Sequence, residues 1–196
     1  LQKIKDILVW AAQNIEIVSM NSIPLEKTIE MLKNKNAQTE KVVSFIKNAD
    51  LYLEDYIYLD KLNLKLDTNI DSEKLLKNQE LMDQIKLVSV YKGKAVPSIL
   101  FDSLGTKKFA ALASYVIEAL ENGKTLIVDE LDSSLHFKIT RAIISMFNNE
   151  KNINAQLIAS LHDISLLDCK KMFRKEQIWF TDKNDEETML YSLKDF

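Results

Sequence analysis

Glycine is scarce in this 196-residue chain: Gly93, Gly105 and Gly123 are the only three, and no two are five residues apart. That excludes a P-loop of the form G-x-x-x-x-G-K-[ST] within it. The backbone N–H groups of such a loop curl around phosphate at angles that only glycine tolerates. Cysteine is rarer still. Cys169 stands alone, so neither a disulfide framework nor a thiolate metal cluster can form, and a reducing, cytoplasmic compartment is the expectation. No apolar run approaches the roughly 18 residues of a membrane span. The first residues, Leu1-Gln2-Lys3-Ile4-Lys5, lack the apolar core of a signal peptide. Nor is there an excess of positive charge: 26 basic against 29 acidic residues leave a net charge of −3. Nucleic acid is therefore not gripped electrostatically along the whole chain, and any contact with it must be local. Residue 1 is Leu rather than Met, and the expectation is a chain that starts inside a longer gene product or after processing.

What is present is an ordinary globular balance, 46% hydrophobic and 28% charged, enough for one good domain and a smaller appendage. Ile4, Ile7, Leu8 and Ala11 recur at helical spacing and predict a helix over 1–13, followed by a short strand at Ile15–Val18. Ser22 and Pro24 suggest the start of a helix over 25–35, with Ser22 as its cap. A second helix is expected over 38–49. Residues 51–66 read as β, with Tyr52, Tyr56 and Tyr58 clustered and Leu62, Leu64 and Leu66 alternating with polar residues. Residues 70–86 read as helix. The pattern then changes. A strand at 87–91 and a loop holding Gly93 and Pro97 lead to a strong helix over 103–121. Strand 125–129, helix 134–147 and strand 155–160 follow, and two strands are expected near 177–181 and 189–193. Strands alternating with helices argue for an α/β layer with parallel strands. A soft boundary near residue 86 separates a helical and β-meander insert (1–86) from a nucleotide-domain half (87–196).

Three segments carry chemistry. Thr125-Leu-Ile-Val-Asp129-Glu130-Leu131-Asp132 is a Walker B pattern: a buried strand ends in adjacent carboxylates where open α/β sheets bind ligands. Asp129 can hold Mg²⁺ and Glu130 can polarise a water. Phe101-Asp102-Ser103-Leu104-Gly105-Thr106 precedes the long helix, with Ser103 as N-cap and Gly105 letting a phosphate reach the exposed N–H groups. Gln156-Leu-Ile-Ala-Ser160-Leu161-His162-Asp163 is a strand followed by a histidine that can hydrogen-bond a γ-phosphate. His136, inside the helix after Walker B, is a weaker candidate. Each segment also has a bland reading: an acidic turn, a capped helix, a surface histidine. Gln177-Ile-Trp179-Phe180 reads as a buried edge strand rather than a base-stacking platform. Lys170, Lys171, Arg174 and Lys175 read as a solvated turn.

The order Ser-x-Gly-Thr, Asp-Glu-Leu-Asp, His-Asp resembles the C-terminal half of an ABC-type ATPase head. It is most similar to the small bacterial AAA-type-core ATPases of the OLD and chromosome-maintenance-like branch, which recur in phage-defence and abortive-infection systems. The resemblance rests on residues 101–196, including a tail of the type Arg174-Lys-Glu-Gln177-Ile-Trp-Phe180 … Leu190-Tyr-Ser-Leu-Lys-Asp195-Phe196. It departs at Asp102, where that family more usually has Glu. The fold implied is α/β, the C-terminal half of an ABC-type head with a β-rich tail, plus a mixed insert. The cofactors implied are ATP and Mg²⁺, sandwiched between two heads of a homodimer or higher oligomer. Asp129 would hold the metal, Glu130 would be the hydrolytic base and His162 the switch. Ser103, Gly105 and Thr106 would contact the partner-bound γ-phosphate, with Asp132 in the loop between heads. An effector protein, nuclease or toxin, is the implied partner. Without an upstream P-loop the stretch alone is not expected to hydrolyse ATP. A non-catalytic scaffold on the same half-fold is the alternative, and a nuclease in its own right is the weaker third.

Overall fold

The computed structural model describes residues 2–49, 52–61, 79–168, 172–184 and 187–196. They form two compact units, Leu1–Leu161 and His162–Phe196. In the first, α1 (Gln2–Asn14) runs directly into β1 (Ile15–Ser19). The apolar stripe of α1 is not buried: Ile4, Ile7 and Leu8 are each 60% or more exposed. α2 (Glu26–Asn34) begins at Leu25, which caps it without a side-chain bond. Ser22 is therefore not the cap that its position suggested; its N–H instead closes a turn on the Ser19 carbonyl at 3.1 Å. α3 (Ala37–Ala49) starts where Asn36 Oδ1 accepts the backbone N–H groups of Gln38 and Thr39. β2 (Leu53–Tyr58) follows. The alternating Leu62, Leu64 and Leu66 and the start of the expected helix at 70 lie outside the described residues. Within that expected range the described residues form α4 (Gln79–Ile85).

β3 (Leu87–Tyr91) occupies its expected range, but the segment after it is β4 (Lys94–Pro97), not a loop. Lys92 and Gly93 have φ of 50° and 70°. Two successive left-handed residues match the right-handed twist of the flanking strands and close a tight hairpin. α5 (Ser98–Phe101) is a single turn, and α6 (Leu104–Asn122) starts at the Ser103 cap, whose Oγ accepts the Thr106 N–H at 3.0 Å. β5 (Thr125–Asp129), α7 (Phe137–Phe147) and β6 (Gln156–Ala159) complete the unit. α7 starts three residues later than Ser134, because Glu130 and Ser134 are themselves left-handed and spend the intervening chain in turns. His136 is thus the N-cap of α7, accepting from the Lys138 N–H at 3.2 Å, and not a residue one turn inside it.

The strands β1, β5 and β6 form a parallel sheet in the order β1-β5-β6. Val18, Val128 and Ala159 share one face with Glu16, Leu126 and Leu157. Val18, Leu126 and Val128 on it are buried. A second, antiparallel sheet runs β2-β3-β4. The main core joins Ile29 and Leu32 of α2, Val42 and Ile46 of α3, Tyr56 of β2, and Ala110, Ala113 and Ile117 of α6. Phe45 stacks on Phe109 with ring centroids 4.8 Å apart. Packing therefore crosses residue 86 freely, in the β1–β5 pairing and in the seat of α2 and α3 on α6. The division the structure shows is the one after Leu161.

The second unit holds an antiparallel ribbon, β7 (Trp179–Lys183) with β8 (Thr188–Ser192). Phe180, Tyr191 and Phe196 pack together, with centroids 5.6 and 5.7 Å apart. The edge strand expected from Gln177 starts two residues later, as β7, and is not buried: Trp179 is 57% exposed, and its indole N–H donates to the Glu176 carbonyl at 3.1 Å. Cys169, Lys170 and Lys171 lie outside the described residues. Among the described residues no helix is long and apolar enough to cross a membrane.

Candidate functional site

Parallel pairing brings three polar strand ends to one edge of the sheet. β1 ends in Ser19, β5 in Asp129, and Ser160 follows β6 directly. This is the edge at which open α/β sheets bind ligands. The ends are fixed by the backbone: the Met20 N–H donates to the Asp129 carbonyl and the Leu131 N–H to that of Ser160, both at 3.0 Å. Ser160 Oγ donates to Asp129 Oδ1 at 2.7 Å and accepts the Glu130 N–H at 2.7 Å. Ser19 Oγ reaches Asp129 Oδ2 at 3.5 Å. Asp129 remains exposed.

Glu130 turns away because its φ is +54°. A residue with a Cβ pays for this left-handed conformation, and it holds only where the surroundings dictate it. Here the Ser160 hydroxyl supplies the constraint through the Glu130 N–H. The two adjacent carboxylates consequently face different partners. Glu130 Oε2 accepts from Asn21 Nδ2 at 2.7 Å, and Asn21 Oδ1 in turn accepts from Ser133 Oγ at 3.1 Å.

The turn after Glu130 is tight: the Ser133 N–H donates to the Glu130 carbonyl at 2.8 Å and the Leu135 N–H to that of Asp132 at 3.2 Å. It brings Ser133 and Ser134 alongside the start of α6. A Cβ on Gly105 would stand 2.6 Å from the Ser134 carbonyl oxygen, so glycine is required there for close approach of two backbones. Lys108 Nζ donates to Ser133 Oγ and Ser134 Oγ, each at 3.2 Å. Ser103 and Thr106 bond to each other through their hydroxyls at 2.9 Å, at the positive end of the helix dipole. One sequence-derived element thus joins the other: the Asp129–Asp132 segment and the Ser103–Thr106 segment meet through Ser134. His162 opens the second unit and is exposed. There the Ser165 hydroxyl and N–H hold the Asp163 carboxyl below its usual pKa.

Asp102 anchors the α5–α6 junction from inside. It is buried, and its carboxylate accepts from Ser98 Oγ at 2.5 Å, Ser89 Oγ at 2.7 Å and the Tyr91 hydroxyl at 3.0 Å. The Tyr56 hydroxyl shares a 2.9 Å bond with Ser98 Oγ, and burial raises the phenol above its ordinary range, so it stays neutral. A shorter carboxylate than Glu fits this enclosed cluster of hydroxyls.

Asn21, Lys108 and Ser160 carry much of this geometry, yet the sequence reading assigned none of them a role. For Asn21 and Ser160 the available signal was positional, a polar residue just beyond a strand that pairs in parallel with β5, while no sequence signal marked Lys108 inside α6. For a divalent cation the fit is partial. Mg²⁺ uses one or two carboxylates, completing its shell with water and ligand phosphates. Asp129 flanked by two hydroxyls suits that pattern, while no cluster of three acidic, His or Cys side chains occurs among the described residues.

A family model described as "AAA domain, putative AbiEii toxin, Type IV TA system" matches residues 22–168. The match takes in α2 to β6, including most of the segment before residue 86, outside the residues 101–196 on which the resemblance rests. No curated protein matches the chain.

Proposed function

The chain belongs to this AAA-domain family, and from that premise we propose that it forms the signature and Walker B part of an ATP-driven conformational switch. The observation that carries the reading is the pair Asp129–Glu130 at the C-terminal end of the central parallel strand, splayed by the left-handed Glu130 onto separate partners. Asp129 would hold Mg²⁺ together with water and phosphate oxygens. A bound Mg·ATP would supply the phosphoryl group to be hydrolysed. Glu130, on its separate hydrogen bond, serves as the base that takes a proton from the attacking water. The capped start of α6, with Ser103, Gly105 and Thr106, offers N–H and hydroxyl donors to a γ-phosphate held by a second copy of the head. Asp132 lies in the turn that meets α6 and so relates one site to the other. His162, three residues past β6 in sequence, is assigned to γ-phosphate sensing on its motif alone. The phosphate grip comes from a P-loop supplied upstream in the full-length polypeptide. Head closure then controls a toxin or nuclease effector in abortive infection or phage defence.

The decisive experiment is ATP turnover by the full-length polypeptide with and without Glu130→Gln. The variant is expected to bind ATP and accumulate as a dimer in light scattering, while turnover falls at least about 100-fold, the scale of a lost general base. Wild-type turnover in Glu130→Gln would remove the assignment.

A further inference from the structure

A continuous polar path links the first turns of α6 to the Glu130 carboxylate. Lys108 Nζ donates to Ser133 Oγ at 3.2 Å, Ser133 Oγ donates to Asn21 Oδ1 at 3.1 Å, and Asn21 Nδ2 donates to Glu130 Oε2 at 2.7 Å. The members come from α6, the turn after β5 and the loop after β1, segments distant in sequence but adjacent in the fold. Asn21 and Lys108 both line an open cleft of about 440 Å³ between that loop and α6. Every link runs in the same sense, donor to acceptor, from the lysine to the carboxylate. An ammonium bonded to the Ser133 oxygen makes the Ser133 O–H a better donor, and each bond along such a chain polarises the next. The path is also mechanically tied: Gly105 lies so close to the Ser134 carbonyl that the start of α6 cannot move toward this turn without displacing it.

Resting on the ATPase reading above, we propose that Asn21 is the positioning residue for Glu130. Ser133 and Lys108 couple the carboxylate's orientation to the first turns of α6. An amide is the side chain the position requires, because it accepts at one end and donates at the other. Aspartate of the same shape accepts from Ser133 but presents a second carboxylate to Glu130. When an anion occupies the start of α6, the field at Lys108, two residues beyond Thr106, changes. The same head's Glu130 then registers it through Ser133 and Asn21. Occupancy at one nucleotide site of a two-headed assembly is thereby read at the base of the other.

The test uses the full-length polypeptide. Asn21→Asp is expected to lower kcat about tenfold with KM for ATP within about twofold, the pattern of a misplaced catalytic group rather than lost substrate binding. Lys108→Met should lower kcat about threefold and Lys108→Arg restore it. The Asn21→Asp/Lys108→Met double variant should be no slower than Asn21→Asp, since both cut one path. A readout independent of turnover is the Asn21 side-chain amide resonance, assigned by its loss in Asn21→Asp. It should shift in Ser133→Ala, Lys108→Met and Glu130→Gln. Normal kcat in Asn21→Asp beside an inactive Glu130→Gln, additive losses in the double variant, or an unmoved amide resonance would each overturn the coupling. Normal turnover in Glu130→Gln sinks the ATPase reading of Glu130 instead. The path itself is then decided by the resonance alone.

Discussion

Gly105 shows at the residue scale how one atom governs the site. Replacing its hydrogen with a methyl puts Cβ 2.6 Å from the Ser134 carbonyl, against backbone that cannot swing aside like a flexible side chain. Gly105→Ala should cost about 1–3 kcal/mol, as overpacking does, read as a lower urea midpoint at unchanged slope. Asp102 poses the opposite problem, since its removal orphans donors rather than crowding them. Three hydroxyls converge on its buried carboxylate. Asp102→Ala should therefore destabilise the protein by about 3 kcal/mol, because three hydrogen bonds to the carboxyl are lost and the fully buried Ser89 hydroxyl finds no water. The same urea titration checks it, and a loss below about 0.5 kcal/mol would mean that the cluster rearranges around the gap.

Elements are tied by charge as well as by apolar packing. Lys27 of α2 pairs with Glu16 of β1 at 2.9 Å and with Glu118 of α6 at 2.8 Å. Lys124, just before β5, pairs with Glu16 at 3.1 Å and also with Glu118. The four side chains close a half-buried ring that joins two helices to the sheet. Burial alone would raise the Glu118 carboxyl, but hydrogen bonds from Lys124 and Lys27 outweigh it and hold the pKa below the ordinary 4.5. Burial likewise opposes Lys124, yet bonds to Glu118 and Glu16 raise it above 10.5. A depressed acid stabilises above its unfolded pKa and ceases to as pH falls through the folded one. A raised base stabilises below its unfolded pKa and ceases to as pH rises through the folded one. The ring's contribution should be flat between about pH 5 and pH 10 and fade on both sides. Urea midpoints of wild type and Lys124→Met should converge at both extremes, and a constant gap across pH would contradict this.

At the scale of the whole molecule, among the described residues of the first unit the three-stranded sheet is covered on one face and open on the other. Ile17, Ile127 and Ile158 lie in register on the open face, with Ile17 73% and Ile158 56% exposed. Parallel sheets ordinarily carry packed layers on both faces. Exposed as they are, Ile17 and Ile158 contribute little to stability here. Ile17→Lys with Ile158→Lys should shift stability by less than about 1 kcal/mol, near the limit for two surface changes. The same pair should lower binding of a hydrophobic dye such as ANS. A large loss of stability would mean that the face is covered in solution. At the same scale, β1 pairs with β5 and the α2–α3 pair packs on α6, all within the unit that ends at Leu161.

Local chemistry in the sequence was sufficient for several features. β1, β3 and β5 and the body of α6 follow from β-branched runs and helical apolar spacing, and Ser103 from its place before a long helix. The exclusion of a P-loop needed nothing beyond three glycines and their separations. Asp129 and Glu130 were legible as a pair because a strand's end aims its last residues at the sheet edge. Tertiary structure alone decided the rest, because it depended on residues far apart in the chain. The β1-β5-β6 order places Ser19 and Ser160 beside Asp129 and brings Asn21 to Glu130 across 109 residues. Ser22 lost its expected cap to a turn that closes on Ser19, and His136 became a cap because left-handed Ser134 delays α7. Periodicity can say which way a side chain faces along its own element; which side chain it meets there is set by how distant strands pair in space.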